Sequence, residues 1–171
     1  KFYEDFGLEG KARSDQVALR CAGRDQDQGL LVEGSRRQLH HLCFATPAGE
    51  LAALQQALEA DGSELLDPPA AAAADGLWFH DPEGVLINVR AGEAAPWAEA
   101  PEWHINSPGH YTRQGERGYP PRDLVIKPRR LGHVLTFTTD FQRQVDFYTR
   151  VLGLRLSDQS EGMVAFLHCQ G

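Results

Sequence analysis

Residues 39–47, LHHLCFATP, and residues 131–139, LGHVLTFTT, are two versions of one segment. Each opens on Leu, places His third, and runs through apolar residues to a Thr-Pro or a Thr pair. Side chains alternate across a strand, so His41, Cys43 and Ala45 share one face, as do His133, Leu135 and Phe137. A helical pattern follows in both places. Leu51, Leu54 and Leu58 recur at helical spacing before Gly62, while Phe141, Val145, Tyr148 and Leu152 form one stripe between a capping Asp140 and a terminal Gly153. Histidine to glycine spans 21 residues in one copy (41 to 62) and 20 in the other (133 to 153). A chain that repeats on this scale is built from copies of one supersecondary unit.

A further partial copy opens the chain. KFYEDFGL (residues 1–8) matches DFYTRVLGL (146–154), and VALRCAG (17–23) matches VAFLHCQG (164–171). The second copy has GLWFHDPEG (76–84) at this stage, with Asp81, Pro82 and Gly84 predicting a turn between its last two strands. LLVE (30–33) and VLINV (85–89) read as closing strands. Each unit is therefore expected to run strand, helix, strand, strand, strand. The first copy lacks the opening strand and the last stops before its closing one, so the chain is expected to be part of a longer polypeptide, the other reading being that a second chain supplies the missing strands.

Between the second and third copies lie six of the ten prolines (Pro96, Pro101, Pro108, Pro120, Pro121, Pro128), which predicts a connection with no regular element. Trp97, Trp103 and Tyr111 suggest that it packs on a domain. The expected division is 1–92 for a first paired-unit domain, 93–128 for the connection and 129–171 for the opening part of a second domain. The loop PPAAAAADG (68–76) carries no chemistry.

A net charge of −7 argues against a nucleic-acid partner, although KPRRL (127–131) is locally basic. No apolar run approaches the roughly 20 residues of a membrane helix, and KFYEDFGLEG has acidic residues where the apolar core of a signal peptide would lie. Three cysteines, Cys21, Cys43 and Cys169, are far apart, form no CxxC pair and read as reduced thiols in a cytoplasmic protein.

The βαβββ unit with a histidine on its first strand, the FYxxxLGL-type helix ends and FHDPEGVLINV resemble the vicinal-oxygen-chelate superfamily. Two paired-unit domains with a proline-rich link, and RRLGHVLTFTTD opening the second, are most similar to type I extradiol ring-cleaving dioxygenases. The resemblance implies an α+β fold in which paired βαβββ units form glyoxalase/extradiol-dioxygenase-type cups in two domains. It implies a non-haem Fe(II) enzyme, with Mn(II) as the other candidate, that opens the ring of a catechol or aryl-catechol with O2 in aromatic hydrocarbon catabolism. Its partners would be a small aromatic diol, O2 and further copies of the same chain. His133 matches the family's first metal ligand; the second histidine, the carboxylate and the acid–base residues would lie beyond Gly171.

The first cup has weaker candidates. His41 fits the first-strand position and Glu33 a closing-strand position, but Asn88 stands where a carboxylate would be needed, so this domain is expected to hold no metal. His40 and His80 read as surface and strand-end residues. His104 and His110, near Glu102 and Glu116, have no ligand spacing, and Arg143 and Arg150 read as a solvated helix face. Two other readings use the same cup: a glyoxalase-like metal-dependent isomerase or lyase, and a bleomycin-resistance-type binding protein.

Overall fold

The computed structural model describes residues 1–70, 72, 74–93 and 127–169. They fall into two compact units, Lys1–Glu33 with Ala95–Val134, and Gly34–Ala94 with Leu135–Gly171. The expected connection 93–128 lies almost wholly outside the described residues, as do His104, His110, Glu102 and Glu116.

In the first unit a short helix α1 (Phe2–Asp5) leads into an antiparallel meander, β1 (Glu9–Arg13), β2 (Gln16–Arg20) and β3 (Asp27–Val32). β2 is the central strand and buries Ala18 and Leu19, with Cys21 just beyond its end. Asp27 ties the three strands together by accepting from Arg13 of β1 at 2.7 Å and Arg20 of β2 at 2.6 Å.

In the second unit β4 (Leu42–Thr46) lies parallel to β6 (Leu86–Ala91), and β5 (Leu77–His80) flanks β6 antiparallel, giving the order β4-β6-β5. A parallel neighbour requires a crossover, which α2 (Leu51–Asp61) supplies. The strand expected directly after α2 is reduced to a single backbone bond, Leu66 N–H to the Trp78 carbonyl at 2.8 Å. Pro68 and Pro69 follow at once and have no N–H to extend a ladder. The third copy contributes α3 (Phe141–Asp146), which continues as a π turn (Phe147–Val151), and a hairpin of β7 (Arg155–Ser160) and β8 (Val164–His168). Residues 131–139 form no strand. In the second copy the matching strand β4 is held by the closing strand β6, and no strand takes that place for the third copy among the described residues.

The glycine ends of the repeat are realised in all three copies. Gly7, Gly62 and Gly153 have φ of 101°, 81° and 72°, the left-handed region that a side chain disfavours. After α1, Leu8 N–H reaches the Tyr3 carbonyl, and after α2, Ser63 N–H reaches Leu58, so orphan carbonyls at both helix ends are satisfied alike. In the third copy the bond runs from Leu154 to Tyr148, one residue further back, because the π turn widens the last helical turn. That turn helps bring Gln144, Val145, Phe147 and Tyr148 all inside.

The core of this unit joins the second copy to the third. Leu58 of α2, Phe79, Ile87 and Val89 of the sheet, and Phe147 and Tyr148 form one buried cluster. The turn between β5 and β6 adds a polar joint. Asp81, 4% exposed, accepts from the backbone N–H of Glu83 (3.0 Å) and Val85 (2.8 Å) on one oxygen. Its other oxygen accepts from Gln144 Nε2 (2.7 Å) and Tyr148 Oη (3.0 Å). Burial and the adjacent carboxylate push the Tyr148 phenol well up, so it remains a donor. Two residues on, Glu83 Oε1 accepts from Thr138 Oγ1 and Thr139 N–H, both at 2.6 Å, and from Asp140 N–H at 3.3 Å. Asp140 in turn caps α3 by accepting from Arg143 N–H at 3.0 Å. Arg143 is exposed, as expected of a solvated face, and from there forms a two-pronged pair with Asp61 of α2, both contacts 2.9 Å.

Two outcomes are expected. Asp81→Ala strands the Gln144 amide and the Tyr148 hydroxyl in the interior and should lower unfolding stability by about 2–4 kcal/mol in denaturant titration. The donors around Glu83 hold its carboxyl at about 2, against 4.5 ordinarily. Because the folded value is the lower one, the stabilisation is complete above about pH 4.5 and disappears as pH falls towards 2. Acid unfolding followed by circular dichroism should therefore be shallower over that window in Glu83→Gln than in the unsubstituted chain.

Candidate metal centre

His133 lies in the extended stretch before α3 and is exposed. Its imidazole makes no hydrogen bond to another described residue, so both ring nitrogens are open to an outside partner. An open imidazole fits one corner of a two-histidine, one-carboxylate site. Among the described residues no three His, Cys, Asp or Glu side chains gather closely enough to hold a metal, so His133 is one donor and not a centre.

Its twin, His41, has a different environment. The ring is half-buried and meets Trp78 edge-on at 4.9 Å between centroids. Its Nδ1 lies 2.8 Å from Nδ1 of His40, an arrangement in which one nitrogen donates and the other accepts. Burial, then the charges of His40 and Arg90, lower the His41 pKa and favour a neutral ring. Two residues along, the Cys43 thiol donates to Asn88 Oδ1 at 3.2 Å, and burial raises its pKa. Asn88 is buried and donates through Nδ2 to the carbonyls of Asp75 (3.1 Å) and Leu77 (3.3 Å). The amide at the position where a carboxylate ligand was sought is thus occupied in joining the backbone to β4. Glu33 stands just beyond β3, exposed, and His80 ends β5. Cys21, Cys43 and Cys169 are all free thiols.

The sequence reading gave no role to Glu83 or Gln144. The acidic pair on either side of Pro82 signals a turn, but nothing local shows that the acids reach residues nearly 60 positions later. No helix among the described residues is long and apolar enough to cross a membrane.

Residues 130–171 match the sequence profile of the Glyoxalase/Bleomycin resistance protein/Dioxygenase superfamily. Over 171 residues, 98% of the chain, the protein is 37% identical to Metapyrocatechase 2 of Cupriavidus necator, covering 52% of that protein. Among solved structures, the Mn(II)-bound glyoxalase from Novosphingobium aromaticivorans superposes with a TM-score of 0.69 at 24% identity, over 98% of this chain and 52% of that one. The 2,2',3-trihydroxybiphenyl 1,2-dioxygenase of Sphingomonas wittichii strain RW1 superposes at 0.64 with 20% identity, over 98% of this chain and 56% of that one. The chain thus spans about half the length of the relatives it matches. The fold of this chain is of the glyoxalase/extradiol-dioxygenase type, and its residues 130–171 carry the profile of the Glyoxalase/Bleomycin resistance protein/Dioxygenase superfamily.

Proposed function

We propose that the polypeptide carrying this chain is a non-haem Fe(II) extradiol dioxygenase that opens the ring of a catechol or aryl-catechol beside its diol. The observation that supports this most is the likeness to a metapyrocatechase, which runs through 98% of the chain at 37% identity. On this reading residues 1–92 form a first domain without metal, 93–128 connect, and 129–171 open the domain that holds the metal. His133 supplies one imidazole ligand, and residues outside the described ones supply the others. The protein acts in the cytoplasm, in keeping with its free thiols, as a homo-oligomer on a small diol and O2.

Fe(II), when bound, would supply Lewis-acid and electron-transfer chemistry to the diol and O2, and Mn(II) accepts the same donor types. The part played by this chain is to present His133. Ligation would require the neutral imidazole.

The polypeptide, loaded with Fe(II) without air and then given catechol and O2, should yield a yellow ring-opened product that takes up both oxygen atoms. His133→Ala should weaken metal binding by at least about a hundredfold and abolish the colour. Retained metal and turnover in that variant would remove His133 from the site. Colour absent across several catechols in the unsubstituted protein, with turnover of a glutathione thiohemiacetal in its place, would favour the glyoxalase-like reading.

A further inference from the structure

His40 and His41 meet where the chain enters β4. Their Nδ1 atoms lie 2.8 Å apart, with ring centroids at 5.1 Å and planes at 79° to one another. Neither ring bonds a carboxylate among the described residues. His40 is exposed, whereas His41 is half-buried and rests edge-on against the buried Trp78 of β5. Cys43, Asn88 and Trp78 form one row across the sheet, and His41, two residues before Cys43, shares their face. The groups on that side are the Cys43 thiol of β4, which already donates to Asn88, the Arg90 cation of β6, and the Trp78 indole and His80 imidazole of β5. Asp75, before β5, bears on the Cys43 thiol. The incoming segment adds two more cations, Arg36 and Arg37.

We propose that His40 and His41 form a proton-operated clasp that sets the direction in which the chain enters β4. The clasp does not depend on the reading of the polypeptide as a dioxygenase. With both rings neutral, one Nδ1–H donates to the other Nδ1. The first proton goes to the exposed His40, whose Nδ1–H then donates to His41, so the clasp stays shut with a charged donor. A second proton, on His41, sets N–H against N–H at 2.8 Å. Neither then has an acceptor, and the two charges repel each other with Arg90 beside them. The rings part, and His40 and the irregular residues before it swing free of the sheet. Burial, then His40 and Arg90, hold the His41 pKa below its ordinary 6.5. Because the folded value is the lower one, the clasp is shut at neutral pH and is lost as pH falls through that lowered value.

The test follows the histidine ring signals of the full polypeptide by nuclear magnetic resonance against pH, assigned by single substitution, together with backbone order parameters. His40 should titrate first, and His41 should keep its Nδ1 unprotonated until its own, lower transition. Across that second transition the order parameters of Leu39 and His40 should fall from about 0.85 to below about 0.6, while those of β6 hold. His40→Ala, at an exposed position, should move the His41 transition up towards 6.5 and leave Leu39 loose at every pH. His41→Phe keeps a ring against Trp78 without a proton to gain, and should leave Leu39 and His40 loose with no dependence on pH. His80→Gln, on the same face but outside the clasp, should behave as the unsubstituted protein. The clasp is overturned if Leu39 and His40 stay ordered while His41 titrates, or if they loosen with pH just as much in His41→Phe. It is equally overturned if His40→Ala leaves the His41 transition in place, or if His80→Gln abolishes the change as His40→Ala does.

Discussion

A carboxylate taken out of water is destabilising unless donors replace the water it loses, and Asp81 meets that condition with four of them. Two come from its own turn and two from the helix of the next copy. The turn is thereby rigid, and a rigid turn can present Glu83, two residues on, as a fixed acceptor for the chain entering α3. The apolar cluster of Leu58, Phe79, Ile87, Val89, Phe147 and Tyr148 supplies the bulk of the attraction between the second copy and the third, but it is non-directional. Register between the copies comes from the polar joint, because hydrogen bonds to a single carboxylate tolerate little sliding.

The two matching histidines of the repeat have different surroundings. His41 is engaged by Trp78 and His40 and is kept neutral, while Cys43 and Asn88 beside it satisfy each other and the backbone. His133 has no such neighbours among the described residues and keeps its nitrogens open. An unengaged imidazole is the form suited to ligation, and an engaged one is suited to a sheet face. The same position in the repeat is thus engaged in one copy and open in the other.

Much of the fold could be read from the residues because its signals are local. The three helix-ending glycines, the Asp140 cap and the Asp-Pro-Glu-Gly turn each follow from backbone geometry that few other residues satisfy, and each stands where expected. Pairing is less local. Residues 131–139 have the alternation of a strand, but a strand also needs a neighbour, and that depends on chain far away in sequence. The strand expected after α2 fails for a nearer reason, the two prolines that interrupt it. At the candidate site, His133 was visible through its twin in the repeat. The contacts of Glu83 with the chain entering α3 were not visible, since its partners are 55 to 57 positions later and only tertiary contact brings them together.

The same proline pair, Pro68 and Pro69, bears on the open edge of the sheet. β5 is an outermost strand of its sheet, and a bare outermost strand is a template on which a stray extended peptide can dock. The chain contributes one bond there, at Leu66, and then two residues incapable of donating another. The flank is partly screened, and the two prolines offer no N–H with which a further strand could pair.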